Sequence, residues 1–503
     1  MNDRIAKVSL FFYLCPQCYQ RSTMPKYRSH SDVLQDLQTG KTTCVELVQY
    51  YLGRIEATKN LNIYVEVFAD EALARAAELD ARHVAQPSSI GRLFGVVIAI
   101  KDVICYQGHE VTAGSKILQG FHSLFSATAV ERLIAEDAIL IGRVNCDEFA
   151  MGSGNENSYY GPVRNAADPE RVPGGSSGGS AAAVQADTCL AALGSDTGGS
   201  VRQPAAFCGV VGLKPSYGRI SRHGLIAYGS SLDQIGVISH SVEDAALLLE
   251  VMAGADEYDS TASELPVEAY SAAQLPERPM RIACFRTAFE HPGLDGGIRQ
   301  LSMDFIGQLR AAGNLVEFIE FEYLDFLIPA YYVLAAAEAS SNLSRYDGVR
   351  FGYRSANASD LQTTYTRSRT EGFGEEVKRR IMLGAFVLSA GYYDAYFSKA
   401  QQVRRLIHDR TKEIFRDYDF ILMPVAPTTA WRIGEQRENP VEVYLADIYT
   451  VQANLAGIPA IALPLGLHPG DGMPVGIQLM ADAFEESKLL AFAKGLMGED
   501  RKP

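Results

Sequence analysis

Pro173-Gly174-Gly175-Ser176-Ser177-Gly178-Gly179-Ser180 and, one Ala-rich helix later, Gly194-Ser195-Asp196-Thr197-Gly198-Gly199-Ser200-Val201-Arg202 decide how this chain is read. Two glycine-serine loops frame a single helix. A flexible linker would join domains, whereas both loops abut strongly apolar segments that must pack, so the linker reading fails. A phosphate loop is set aside because no G-x-x-x-x-G-K-[ST] occurs and no G-x-G-x-x-G follows a strand. Gly174 to Gly178 does fit G-x-S-x-G, the nucleophile elbow of α/β-hydrolases, with Ser176 at its centre. An elbow needs a strand directly before it, and Ala167 to Pro173 is a poor strand. It also needs a later histidine, and His223, His240, His291, His408 and His468 have no distinguishing setting.

A serine hydroxyl is a weak nucleophile until a base removes its proton, and glycine-rich turns leave backbone N–H groups open to an oxyanion. Thr197, Gly198, Gly199 and Ser200 can present such groups. Without a suitable histidine the base could be a lysine, provided that burial lowers its pKa from about 10.4 toward neutrality. Leu93-Phe94-Gly95-Val96-Val97-Ile98-Ala99-Ile100 is a continuous apolar run rich in β-branched residues, as expected of a strand buried on both faces, and it ends at Lys101. That setting predicts a buried Lys101.

From residue 31 onward helical and extended patterns alternate with no repeat period and no low-complexity linker, which predicts an α/β protein and one large unit over residues 24–503. Thr43 with Glu46 makes a capping box, after which Leu47, Val48, Tyr51, Leu52 and Ile55 share one helical face. Further helices are expected over 70–84, 128–138, 296–312 and 375–415, and strands over 139–142, 281–285, 420–425, 460–465 and 475–480. Residues 152–179 are too loop-like for regular structure and too long for an idle connection, which marks them as functional.

The 503 residues carry 46 basic and 60 acidic side chains, a formal charge of −14. So acidic a surface repels phosphate and excludes a generic nucleic-acid clamp. An apolar fraction of 47% excludes wholesale disorder. No run of about 18 apolar residues occurs; the best internal candidate, Ser180 to Leu193, is broken by Gln185 and Asp187. Arg4 and Lys7 precede a short apolar run, but no small-residue cleavage site follows. Residues 1–23 are therefore expected to be a disordered or non-native extension, with Cys15 and Cys18 an exposed tail pair rather than half a zinc site. The remaining cysteines, 44, 105, 146, 189, 208 and 284, sit in apolar company as core filler, and the default compartment is the reducing cytoplasm.

The stretch from Gly174 to Pro204 resembles the signature of the amidase signature family, and the similarity extends from about residue 31 to the C-terminus. The resemblance implies a central mixed β-sheet covered by helices on both faces. It also implies a catalytic Ser–cis-Ser–Lys triad: Ser200 as nucleophile, Ser176 as the bridging serine with a cis peptide, and Lys101 as base. The oxyanion would be held by Thr197, Gly198, Gly199 and Ser200.

Within that family the chain is most similar to the branch that forms the glutaminase subunit of tRNA-dependent amidotransferases. The likeness rests on Cys146 to Gly152 with Glu156-Asn157-Ser158, Ser231 to Gly236, Glu338 to Gly348, Val377 to Gly384 and Asn454 to Pro459. Arg143, where lysine is usual, and Val237, where proline is usual, depart from the pattern and leave the triad untouched. The branch implies that L-glutamine contacts Tyr331, Arg380 and Asp447, with the adjacent Tyr332 as the alternative to Tyr331. An arginine fork suits the α-carboxylate of the zwitterion and a carboxylate suits its ammonium group. The resemblance further implies B and C partner subunits in a heterotrimer, tRNA contacted only through the partner, and ATP and Mg²⁺ used by the partner. This chain would bind no cofactor or metal of its own. A stand-alone amidase acting on small or aryl amides is the alternative.

Overall fold

Uninterrupted apolar runs make the centre of the molecule, because a strand with both faces covered has no use for alternation. The computed structural model describes residues 26–435 and 446–497. The N-terminal extension, with Cys15 and Cys18, lies outside the described residues. One mixed sheet is built from β1 (Tyr64–Val67), β2 (Val97–Lys101), β3 (Ile139–Val144), β4 (Ala191–Asp196), β5 (Val211–Lys214), β6 (Gln234–Ser239), β7 (Arg281–Phe285), β8 (Leu315–Ile319), β9 (Phe420–Pro424), β10 (Ala460–Leu467) and β11 (Pro474–Met480). The order across it is β1-β3-β2-β4-β6-β5-β10-β11-β9-β7-β8. The α/β class and the mixed sheet are as expected.

β2 runs parallel to both of its neighbours, β3 and β4. The carboxyl ends of these three strands therefore open on one edge, where ligand sites of α/β sheets form. Lys101 closes β2, Asn145-Cys146-Asp147 follows β3, and Thr197 to Ser200 follow β4. The helix Gly178–Gln185 starts directly after Ser177, and its first seven residues are buried. Only small residues fit there: a Cβ on Gly179 would lie 2.2 Å from the Asn145 carbonyl oxygen.

Strong local signals take the form expected of them. The Thr43 capping box closes, with Glu46 N–H on Thr43 Oγ1 at 3.1 Å and Thr43 N–H on Glu46 Oε2 at 3.0 Å. Cysteines 44, 105, 146, 189, 208 and 284 are free and buried. Two expectations need correction. The run from Leu93 does not begin as a strand. Gly95, at φ +83, closes a turn in which Val96 N–H bonds the Leu93 carbonyl, and β2 starts only at Val97. The region 375–415 is two helices, Glu375–Val387 and Lys399–Asp417, because the chain leaves the first at Leu388 and re-enters through a π-turn over Asp394–Ser398. The helix Leu324–Asn342, which carries Tyr331 and Tyr332, has no amphipathic signal in the sequence: it is apolar on nearly every face and has Pro329 in its first turns. Among the described residues no helix is long and apolar enough to cross a membrane.

Candidate active site

Lys101 is wholly buried, and its Nζ is ringed by hydroxyls: Ser176 Oγ at 2.7 Å, Ser195 Oγ at 2.9 Å and Ser177 Oγ at 3.0 Å, with the Ser195 carbonyl at 3.5 Å. Loss of hydration disfavours the ammonium form and lowers the pKa from the usual lysine value to about 8, against the pull of Cys146, Asp147, Asp196 and Asp233. A neutral amine has two protons to donate and one lone pair. Ser177 cannot fill that lone pair, because its hydroxyl donates to the Ser195 carbonyl at 3.1 Å while its oxygen accepts the Ser195 N–H at 3.2 Å. Ser176 and Ser195 are the hydroxyls left to donate to neutral Lys101, and Ser176 is the nearer.

The Gly175–Ser176 peptide bond is cis. Ser200 is partly exposed and joins the cluster through its backbone, its carbonyl accepting the Ser177 N–H at 3.1 Å. A Ser176–Ser200 hydroxyl contact is not among the hydrogen bonds of the described residues. No histidine bonds Ser176 among the described residues either, and no strand leads into it, so the hydrolase-elbow reading has no support.

The loop after β4 is organised by Asp196. Its carboxylate accepts the Gly199 N–H at 2.8 Å and the Val201 N–H at 3.1 Å, and it pairs with the buried Arg202. The Gly199 N–H thus has an acceptor within the loop, and Thr197, Gly198 and Ser200 carry the other N–H groups of the expected oxyanion set. Gly199 itself sits at φ +134, and a Cβ there would lie 2.2 Å from Thr450 Oγ1, so only glycine fits.

The residues expected at the far end of glutamine cluster behind the same loop and meet it at Tyr331. Tyr331 packs its ring on Gly198, where a Cβ would lie 2.5 Å from Tyr331 Cζ. Tyr332, its neighbour, donates its hydroxyl to Asp447 Oδ2 at 3.0 Å. Asp447 also accepts from the Ser153 hydroxyl at 3.1 and 3.2 Å. Burial pushes its carboxyl up to about 7, against these hydroxyls and the nearby Arg380. Arg380 is buried; its Nε donates to Glu376 at 2.8 Å and an Nη to the Tyr228 hydroxyl at 2.6 Å, with its guanidinium 5.3 Å from the Tyr332 ring centroid.

Two threads tie this end to the serines. Thr450 donates to the Gly198 carbonyl at 2.6 Å while its N–H bonds the Asp447 carbonyl at 3.0 Å. Gln203 accepts the Gly175 N–H and donates to the Ser153 carbonyl, each at 2.9 Å. Sequence reasoning does not single out Ser153, Ser177, Ser195, Gln203, Tyr228 or Thr450 as site residues. Ser177 and Ser195 lie inside the two glycine-serine loops, but nothing in a serine-rich run tells which hydroxyls face the lysine.

A buried, partly neutral lysine joined to a serine, beside a glycine-rich loop with free N–H groups, is the apparatus for acyl transfer from an amide. The chain belongs to the amidase family, whose profile matches residues 46–490. It is 50% identical over 477 residues to the A subunit of glutamyl-tRNA(Gln) amidotransferase from Chlorobium luteolum, covering 94% of this chain and 98% of that one. The crystal structure of the corresponding A subunit of glutamyl-tRNA(Gln) amidotransferase from Thermotoga maritima superposes with a TM-score of 0.73 at 39% identity, covering 90% of each chain. A bacterial aryl acylamidase of the amidase signature family reaches a TM-score of 0.81 at only 22% identity, with 94% and 96% covered. That likeness concerns the fold alone, so overall shape does not choose the substrate.

Proposed function

We propose that this chain is the glutaminase subunit of a glutamyl-tRNA(Gln) amidotransferase, with residues 24–503 as its single amidase unit. The observation that carries the reading is the half-identity over nearly the whole chain with relatives of that name. The nearness of the buried Arg380 and Asp447, both against Tyr332, supports it, because a neutral amide would gain nothing from an arginine and a carboxyl group there. In this mechanism neutral Lys101 takes the proton of Ser176, Ser176 takes that of Ser200, and Ser200 Oγ attacks the side-chain carbonyl of L-glutamine. The N–H groups of Thr197, Gly198 and Ser200 hold the oxyanion. The proton returns through Ser176 to the leaving nitrogen, ammonia departs, and water resolves the glutamyl ester on Ser200.

Ammonia then serves a B subunit that activates Glu-tRNA(Gln) with ATP and Mg²⁺, and a small C subunit completes a cytoplasmic heterotrimer. The −14 charge suits that division of labour, since this chain need not grip tRNA. The test is glutamine-dependent amidation of Glu-tRNA(Gln) after co-purification of the chain with its partners. Recovery of the chain alone, with equal turnover of glutamine and propionamide, would favour the stand-alone amidase.

A further inference from the structure

Asp147 and Glu148 are neighbours in the chain, and their carboxylates hold opposite parts of the site. Asp147 accepts the Asn155 N–H at 2.8 Å and the Asn157 N–H at 3.1 Å. It also lies against the serine loop, where a Cβ on Gly175 would be 2.2 Å from its Oδ2. Glu148 points the other way. It is 3% exposed, and it accepts the Gly374 N–H on both oxygens, at 3.1 and 2.9 Å, together with the Ser115 hydroxyl. Gly374 is the N-cap of the helix Glu375–Val387, and that helix has no side-chain cap of its own. Glu148 therefore supplies from 226 positions away what a capping side chain supplies locally, an acceptor for an orphan N–H. Phe149 adds an aromatic contact to Phe373, with ring centroids 5.7 Å apart. The buried residues of this helix include Arg380, less than two turns from the clamped end.

We propose that Glu148 is a positioning residue for substrate recognition: by fixing the start of the helix Glu375–Val387 it sets where Arg380 meets the α-carboxylate of glutamine. This rests on the glutamine reading above. A guanidinium displaced by about 1 Å loses the paired geometry that a carboxylate requires, while the serines, held by Asp147 and β4, stay in place.

The experiment uses the full-length chain assembled with its partners. It compares the KM for L-glutamine with the rate at which phenylmethanesulfonyl fluoride, a neutral reagent with no carboxylate, inactivates Ser200. Glu148→Ala is expected to raise the glutamine KM at least tenfold and to change the inactivation rate less than twofold. Glu148→Gln, which keeps an acceptor for Gly374, should recover most of the loss. Gly374→Ala, whose Cβ would meet Glu148 Oε2 at 2.4 Å, should reproduce the KM defect and decides the matter if Glu148→Ala does not fold. Adding Glu148→Ala to Arg380→Ala should cost nothing further, because both act through one contact. An unchanged KM, or equal slowing of both reactions, overturns the proposal. If Arg380→Ala raises the KM and Glu148→Ala does not, only the role of Glu148 falls. If Arg380→Ala leaves the KM unchanged, the glutamine reading falls and the proposal with it.

Discussion

Asp196 and Arg202 form a doubly hydrogen-bonded ion pair, Nε to Oδ2 and Nη2 to Oδ1 at 3.1 Å each, with no exposure on either side chain. The pair brackets Ser200. Asp196 also takes two N–H groups of the intervening loop, and Arg202 reaches on to Gln478 and Asn454 at 2.9 and 2.8 Å. The loop is thus held from within by charge while its outer N–H groups remain open.

Arg202→Met would leave Asp196 buried without its counter-charge, and breaking such a pair costs about 3–5 kcal/mol. Urea denaturation should register that loss. Arg202 holds the Asp196 carboxyl at about 2, below its ordinary value. The pair's contribution should therefore be complete above roughly pH 4 and disappear as pH falls through about 2. Thermal melts of the native chain and Asp196→Asn across that acid range should converge.

Ser200→Ala should abolish glutamine-dependent amidation and preserve amidation driven by added ammonium salts, since free ammonia bypasses the amide cleavage. Ser176→Ala should be nearly as severe. A labelled acyl adduct mapped to Ser176 instead of Ser200 would reverse the assignment of nucleophile and bridge.

Lys101→Arg should be inactive although charge is retained, because a guanidinium stays protonated above pH 12 and cannot accept the serine proton. Steady-state glutaminase assays decide this directly. An active variant would remove Lys101 from the base role.

The acid limb of the pH profile should differ between substrates. Lys101 must be neutral to act, so turnover of any amide should rise with pH toward the lysine's pKa of about 8. Asp447, pushed up to about 7 by burial, must be ionised to hold the substrate ammonium. The KM for glutamine should therefore climb below pH 7 while that for propionamide stays level. Parallel profiles for the two amides would argue against Asp447 as the ammonium site.

Arg380→Ala should lower glutamine use at least tenfold relative to propionamide, since loss of one partner of a desolvated bidentate contact is worth about 2–5 kcal/mol. The ratio of the two kcat/KM values is the measurement.

The sequence by itself determined the class of fold and pointed to a buried Lys101 near two glycine-serine loops, while the roles proposed for Ser176 and Ser200 came from the resemblance to the amidase signature family. An apolar, β-branched run ending in lysine and two glycine-serine loops around a small-residue helix are local patterns. They allow few structures, because a strand buried on both faces and a helix start without room for a Cβ each admit few residue types. Tertiary structure alone decided how those parts are held. Ser177 and Ser195 flank Lys101 from 76 and 94 positions away, and Ser153 and Tyr332 reach Asp447 across 294 and 115. Asp196 came to accept the Gly199 N–H, and Glu148 came to cap a distant helix. None of these leaves a periodic trace in the chain, because each depends on which ends of which strands the sheet order brings to one edge. A carboxylate or hydroxyl reads the same in sequence whether it meets water or a buried partner; only packing settles which.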